Sequence, residues 1–321
     1  MRRAIPSDQA GIRALLREPA HAELSLAAFL RETDVALDDV YRKDRSWWQL
    51  RQSAGLDART VGEEERAALE NVHKLIHVGD ERRLGMWARL ASLESPVDEA
   101  DRRLARMLFA VLYGKEIGAD TRAEALWAQH GLLREEIAGL VPILRELNAV
   151  LTPPHALAPE IPLALHARYL GVELSAAFDH RTREGNFRDY YTGVELTHGK
   201  KFDLLLVTLD KAAATKEHLR YRDFPLNEKR FHWQSKARTT RESPEGRRHL
   251  DPARYSVTPL LFVRERADER AGVTMAFRYL GPVDPDGADG ERPIYDGVAI
   301  EIRDAPEDAG CWKGGAVRQG G

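Results

Sequence analysis

The sequence predicts an α+β protein, a bundle of short α-helices followed by a curved β-sheet or barrel. Three observations carry this expectation. Apolar residues recur at spacings of three and four across the first half, the period of one helix face. Four prolines then fall within residues 153–162, where no helix can continue. Beyond them the apolar runs are short and either continuous or alternating, as strands are. With 321 residues the chain is long enough for two domains of ordinary size.

The helical pattern opens with Leu24, Leu26, Phe29 and Leu30, continues through Leu37, Val40 and Tyr41, and reaches Trp47, Trp48 and Leu50. Residues 63–93 hold a longer stretch, with Ala67, Leu69, Val72, Leu75 and Ile76 at helical spacing. Leu104, Met107, Leu108, Val111 and Leu112 mark another; Leu132, Leu133, Ile137, Leu140, Ile143, Leu144 and Leu147 mark the last. Gly55, Gly114, Gly118 and Gly131 punctuate these stretches as stops or turns. His73 and His77 stand four apart, a spacing that can hold a metal. Lys74, Leu75 and Ile76 lie between them, so no HExxH pattern forms. An ordinary helix surface is the expectation there, and no metal site is assigned.

Residues 1–150 therefore form the predicted helical domain and 151–163 a proline-rich linker. After the linker, helices are expected at 162–170 and at 174–178. Residues 202–209 (FDLLLVTL) and 256–264 (SVTPLLFVR) are continuous apolar runs of the buried-strand kind, and 274–280 and 298–303 alternate or nearly so. Several strands at this spacing suggest a curved sheet or barrel over 164–310. The glycine-rich end, 311–321, reads as a flexible tail.

Composition narrows the class. Apolar residues make up 43% and charged residues 31% of the chain, a balance that excludes a wholly disordered protein. No window approaches eighteen uncharged apolar residues, so no membrane span or membrane partner is expected. The first residues lack the apolar core of a secretion signal. Cys311, the single cysteine, excludes an internal disulfide and a cysteine-rich zinc site. A cytoplasmic protein is the expectation. The net charge of −3 names no partner, but residues 181–250 carry 16 Lys or Arg against 10 Asp or Glu, while the flanking regions are net acidic. That contrast suggests an anion-binding surface, with a solvated charged face as the plain alternative.

The densest chemistry lies between Tyr190 and Arg248. Phe231-His232-Trp233-Gln234-Ser235 sets two aromatics, an imidazole and an amide on one segment. In a strand, Phe231 and Trp233 face one side, as a stacking surface or as core, while His232 and Gln234 face the other, where they can read a base edge. Lys236, Arg238, Thr239, Arg241, Ser243, Arg247 and Arg248 follow, and Lys200 and Lys201 precede. Cations and small hydroxyls in one loop are the groups that hold phosphates. From 229 to 248 there are seven basic residues against two acidic ones. Aromatics interleaved with cations fit nucleic acid better than a small acidic metabolite. Asp203, at the mouth of an apolar run, can accept from an exocyclic amine such as cytosine N4, or pair with a neighbouring cation.

A series of blocks in this half resembles the DUF3427 family. It runs Gly193-Val194, then 202–211 (FDLLLVTLDK), Tyr221-Arg222-Asp223-Phe224, Phe231-His232-Trp233-Gln234-Ser235, and Ser243-Pro244-Glu245-Gly246-Arg247. It closes with 260–265 (LLFVRE), Tyr279-Leu280-Gly281 and Gly290-Glu291-Arg292-Pro293. The helical half is similar to the segment that joins a helicase motor to such a domain, notably at 26–30 (LAAFL), Val40-Tyr41, Trp47 and Ala54-Gly55-Leu56. The resemblance implies a helical coupler, then an SRA/PUA-like curved β-barrel of the kind found in type IV, modification-dependent restriction proteins. There a modified cytosine is flipped into an aromatic pocket. It places Asp203, Tyr191, Phe231, His232, Trp233 and Gln234 around the base, and the cations and hydroxyls above on the DNA backbone. Lys236, Asn227 and His249 depart from the residues usual in that family.

The expected function is thus a target-recognition module, without catalytic residues of its own, that binds duplex DNA for a superfamily-2 helicase and nuclease acting in cis or in trans. The chain has no GxxxxGK[ST] loop, no Asp-Glu-x-His box and no phospholipase-D-type nuclease motif. ATP and magnesium are expected only in the motor and nuclease, and no cofactor in this chain. The chain is either a fragment of a longer protein or a stand-alone subunit; a homodimer is left open. Two alternatives stand beside this one. One is a PD-(D/E)xK-like nuclease using Asp203 or Asp210 with Gln234-Ser235-Lys236 and a metal. The other is a module that docks a helicase partner.

Overall fold

A computed structural model describes residues 8–148, 157, 160–188, 190, 193–197, 199, 201–210, 223–227, 230–235, 239–268, 274–285 and 298–302. The chain divides into two compact units, Met1–Tyr190 with Asp268–Ala276, and Tyr191–Ala267 with Phe277–Gly321. The division falls near Tyr190, so segment 164–190, expected to open the second domain, packs within the first unit.

The first unit is helical: α1 (Gln9–Leu16), α2 (Leu26–Thr33), α3 (Leu37–Val40), α4 (Trp47–Ala54), α5 (Glu63–Glu70), α6 (Glu81–Ala91), α7 (Glu99–Leu112), α8 (Asp120–Gln129), α9 (Gly131–Leu147) and α10 (Gly171–Ala177), with a two-residue strand β1 (Arg168–Tyr169). Side chains start many of these helices. Asp8, Ser25, Ser46, Asp80 and Asp98 each accept a hydrogen bond from a backbone N–H of the first turn, which satisfies a donor the helix cannot. The apolar faces read from the sequence are the ones buried: Leu104, Met107, Leu108 and Val111 on α7, and Leu133, Ile137, Leu140 and Leu144 on α9. Glu136 of α9 is buried among them and accepts from the Tyr41 hydroxyl (2.7 Å) and from the N–H groups of Trp47 (2.7 Å) and Trp48 (3.2 Å). Burial pushes its carboxyl above the usual range, against those donors.

A polar network ties α6 to the stretch before α10. Arg83 is wholly buried; its Nε donates to Asp80 Oδ2 (2.6 Å), Nη1 to Glu173 Oε1 (2.7 Å) and Nη2 to the Arg168 carbonyl (2.6 Å). Its guanidinium lies over the Tyr169 ring at 4.2 Å. Glu173 Oε2 takes the Leu170 N–H (2.7 Å) and faces His77 Nε2 (3.0 Å), while His77 Nδ1 faces the Lys74 carbonyl (2.8 Å). Both ring nitrogens thus lie within hydrogen-bond distance of an oxygen.

This network explains a departure from the expected helices. Residues 162–170 are not a helix; the helix is α10, close to the expected 174–178. The backbone groups that a helix over 162–170 would pair internally are bonded to side chains instead. Ala164 N–H donates to the Tyr169 hydroxyl (2.8 Å), the Arg168 carbonyl accepts from Arg83, and Leu170 N–H donates to Glu173. His166 also takes a positive φ of 61°, outside the helical region. Gly171 closes the segment against Tyr190: a Cβ there would lie 1.9 Å from the Tyr190 carbonyl oxygen.

The second unit is a mixed sheet: β2 (Gly193–Leu196), β3 (Phe202–Thr208), β4 (Phe224–Pro225), β5 (Arg230–Trp233), β6 (Thr258–Arg264), β7 (Phe277–Pro285) and β8 (Val298–Ile302), with one helix, α11 (Pro244–Leu250). Within the unit the hydrogen-bonded order is β2-β3-β6-β7-β8-β5-β4. β3 and β6 are parallel, with Leu205 opposite Leu261, and the other pairs are antiparallel. The continuous apolar runs are these central strands, buried along nearly their whole length. β7 starts later than the expected 274–280 and runs further, because it pairs first with β6 and then with β8. The register with β6 slips between Leu261 and Phe262, and Gly281 beside it takes a φ of 102°, the conformation that lets a bulge form cheaply. Among the described residues no pairing joins β2 to β4, so the strand path is open rather than a closed barrel.

Glu173→Gln should lower the unfolding free energy by about 3 kcal/mol at neutral pH, because removing one partner strands the buried Arg83 charge. Burial pushes the Glu173 carboxyl up, but Arg83 and His77 outweigh it and hold it down at about 2, against an ordinary 4.5. The ionised carboxylate therefore contributes fully above about 4.5, and the contribution is lost as pH falls toward about 2. Urea titrations across that window should show the gap between wild type and variant closing. A gap of constant size would place the stabilisation elsewhere.

Candidate nucleic-acid interface

The segment from Thr239 to Leu250 builds the site from its own local chemistry. Pro244 occupies the first turn of α11, where its missing N–H costs nothing. Ser243 caps the helix: its Oγ accepts from the Gly246 N–H (3.0 Å) and donates to the Thr240 carbonyl (2.7 Å). Arg247, Arg248 and His249 fill the last turn, the end where positive charge is favoured. Leu250 packs against the apolar core of the sheet, so the helix lies with one side on β-sheet and Arg247 exposed on the other.

Asp203, Trp233 and Arg248 are brought together, with His249 as a fourth member. Asp203 is only 1% exposed and shares a strand face with the core residues Leu205 and Val207. Its Oδ2 accepts from Arg248 Nε at 2.6 Å and lies 3.7 Å from His249 Nε2. The His249 ring stands edge-on to Trp233, centroids 5.1 Å apart at 85°, the arrangement aromatic quadrupoles prefer. Asp203 Oδ1 is buried and has no hydrogen-bond partner among the described residues. A buried carboxylate with one oxygen satisfied by a guanidinium keeps acceptor capacity for an incoming donor.

Strand alternation places the segment 231–234 as expected. Phe231 (0% exposed) and Trp233 (4%) point into the core with Val194, Leu261, Val263, Leu280 and Val283. Core packing is thus what the structure shows for both, in place of an open stacking surface; among the described residues they are the two aromatics of this core cluster. His232 is on the opposite face, half-buried and stacked on Phe224 (4.7 Å, 14°). Gln234 is half-buried, and its N–H donates to Asp223 Oδ1 (2.8 Å). Tyr191, Lys200, Lys236 and Arg238 lie outside the described residues.

The predicted phosphate-binding set divides. Lys201 and Arg247 are exposed and Arg241 is half-buried. Arg247 Nε donates to the Glu242 carbonyl (2.9 Å). Arg248 is committed to Asp203, Ser243 to its cap, and Thr239 is buried with its hydroxyl donating to Glu245 Oε2 (3.3 Å). These three spend their polar groups on holding the loop and α11 in place. Among the described residues no group of three or more His, Cys, Asp or Glu side chains is gathered to hold a metal ion. His73 faces the Glu70 carbonyl (2.6 Å) and His77 faces Glu173.

Two side chains of consequence escaped the sequence reading. His249 stood out only as a departure from a family pattern, although its place one residue after Arg248 puts it on the core side of α11. In the sequence Phe224 stands at the end of the block Tyr221-Arg222-Asp223-Phe224, with no periodicity that marks it as exposed. The signal for it was Pro225, which belongs on a sheet edge.

Residues 163–296 match the family described as Domain of unknown function (DUF3427). No curated protein matches the chain.

Arg248→Met should destabilise the protein by about 3 kcal/mol, since it leaves the buried Asp203 carboxyl without its partner, and Asp203→Asn by less, since Arg248 is half-buried. The double variant should be markedly more stable than the sum of the two losses predicts, by about 1–3 kcal/mol of coupling. Additive losses in urea unfolding would mean that the pair does not hold α11 to β3.

Proposed function

We propose that this chain is a DNA-recognition module that binds duplex DNA through the second unit and reads a modified base, a modified cytosine in the first instance. The observation that carries the reading is the placement of charge. The basic run of the second unit, 229–248, holds seven cations against two acids. Of its described cations, Arg247 is exposed on α11 and Arg230 on β5, and Lys201 is exposed at the start of β3. Exposed cations in one unit of a net acidic chain favour a polyanion through counterion release.

The modified base would be read by Asp203, whose Oδ1 has acceptor capacity for an exocyclic amine, beside the Trp233 and His249 rings. Access requires the Arg248 side chain to leave Asp203, and DNA phosphate is the partner that compensates its guanidinium. An SRA-like module of this kind serves a superfamily-2 helicase and nuclease, in cis or in trans. The ATP- and metal-dependent chemistry then belongs to those partners.

Gel shifts with otherwise identical duplexes carrying cytosine, 5-methylcytosine or 5-hydroxymethylcytosine test both parts. Affinity should fall steeply with salt for all three, and one modified duplex should bind more tightly. Lys201→Ala combined with Arg247→Ala should weaken binding to every duplex alike and reduce the salt slope by about one per lost phosphate contact. Asp203→Asn should remove the preference, so that all three duplexes bind alike. Equal binding to all three duplexes would remove base reading; no binding at low salt would remove DNA recognition altogether.

A further inference from the structure

We propose that the first unit holds a binding site for a small organic ammonium ion, in the cavity between α2, α4 and α9, with Glu136 as its anionic anchor. The inference is independent of DNA recognition, since every residue that lines the cavity belongs to the first unit.

The cavity has a volume of about 240 Å³, room for an amine that carries one ring or a short chain. Its inner side is made by the buried residues Leu26, Tyr41, Trp48, Leu132 and Glu136, and exposed residues, Arg59 and Glu135 among them, stand at its mouth. Glu136 is 8% exposed, and three neutral donors serve it. The Tyr41 hydroxyl and the Trp47 N–H meet Oε1, both at 2.7 Å, while Oε2 has the Trp48 N–H alone, at 3.2 Å. Oε2 therefore keeps acceptor capacity for another donor.

Charge selects the kind of donor. Among the described residues no cation is hydrogen-bonded to Glu136, and the two arginines that line the cavity are engaged elsewhere. Arg59 donates through Nη2 to Asp57 (2.8 Å) and through Nη1 to Glu135 (2.7 Å). Arg51 donates through Nη1 to the Ala22 carbonyl (2.8 Å), and its guanidinium lies over the Trp47 ring at 5.8 Å. A carboxylate shielded from water attracts a cation more strongly than one on the surface does. An ammonium group brings both charge and donors to Oε2. The apolar part of such a ligand finds Leu26 and Leu132, and aromatic rings beside a carboxylate favour the same class of ion. An anion would meet the Glu136 charge and two arginines already paired.

Gly139 supplies a second, separate observation. It lies inside α9, where glycine lowers helix stability relative to alanine. Neither a left-handed φ nor a close neighbour requires glycine here, because a Cβ would meet no atom within 4 Å. What the missing side chain does is leave the wall of the cavity open, since Gly139 lines it.

Isothermal titration calorimetry of the full chain at neutral pH, with 2-phenylethylammonium and with phenylacetate, an anion of similar size and shape, tests the site. Wild type should bind one equivalent of 2-phenylethylammonium, and phenylacetate about tenfold more weakly or not at all. Gly139→Leu should keep the wild-type melting curve and weaken binding of the ammonium probe about tenfold. Glu136→Gln should remove the preference for the cation; because Glu136 also ties α4 to α9, Gly139→Leu carries the test if that variant unfolds. Nα-acetyl-lysine amide, titrated alongside, identifies the source of the group: tighter binding than 2-phenylethylammonium assigns it to a lysine of a protein partner, weaker binding to a free amine. Wild type that binds neither ammonium probe overturns the site. Phenylacetate binding as tightly as 2-phenylethylammonium overturns the cation selectivity, and a folded Gly139→Leu that binds like wild type places the ligand outside this cavity.

Discussion

Arg83 has no contact with water, and that constraint organises the first unit. A buried guanidinium costs several kcal/mol in lost hydration unless carboxylates and carbonyls surround it. Asp80, Glu173 and the Arg168 carbonyl do so, and they come from two stretches 85 to 90 residues apart in sequence. Asp80 also caps α6 and Glu173 also takes the Leu170 N–H, so the same carboxylates set the start of α6 and the entry to α10. The interaction acts chiefly on geometry: neither stretch can shift without leaving a charge unpaired in the interior. It also accounts for the compact division of the chain. The family match begins at residue 163, yet 163–190 folds with the preceding helices.

The second unit repeats the device on a smaller scale. Seven residues are too few for α11 to hold its shape by its own hydrogen bonds. It is held by the Ser243 cap, by Leu250 against the core and by Arg248 against Asp203. Neighbouring arginines thereby take different work: Arg248 is turned in and anchors the helix, and Arg247 is turned out. A helix pinned through one of its own cations presents the other in a defined direction.

Much of the fold was legible. Continuous apolar runs marked β3 and β6, alternation marked β8, and three-four spacing marked the buried faces of α7 and α9. Alternation also separated Phe231 and Trp233 from His232 correctly. What it could not supply was which side of that strand faces the interior, and the aromatic pair turned out to be core. The helix expected at 162–170 failed for a related reason. Its composition permits a helix, but its polar backbone is bound by Arg83, Tyr169 and Glu173, none of which is legible from the local sequence alone.

Composition and period by themselves determined the α+β class, the order of helices before strands, the absence of a long apolar span and the concentration of cations in 229–248. These depend on residue type and near-neighbour spacing, which the chain carries openly. Tertiary structure alone decided that Asp203 meets Arg248 across 45 residues, that His249 faces Trp233, and that Trp233 is buried while Phe224 is exposed. Each of these depends on which faces of separate elements meet, and a side chain's burial is a property of that meeting.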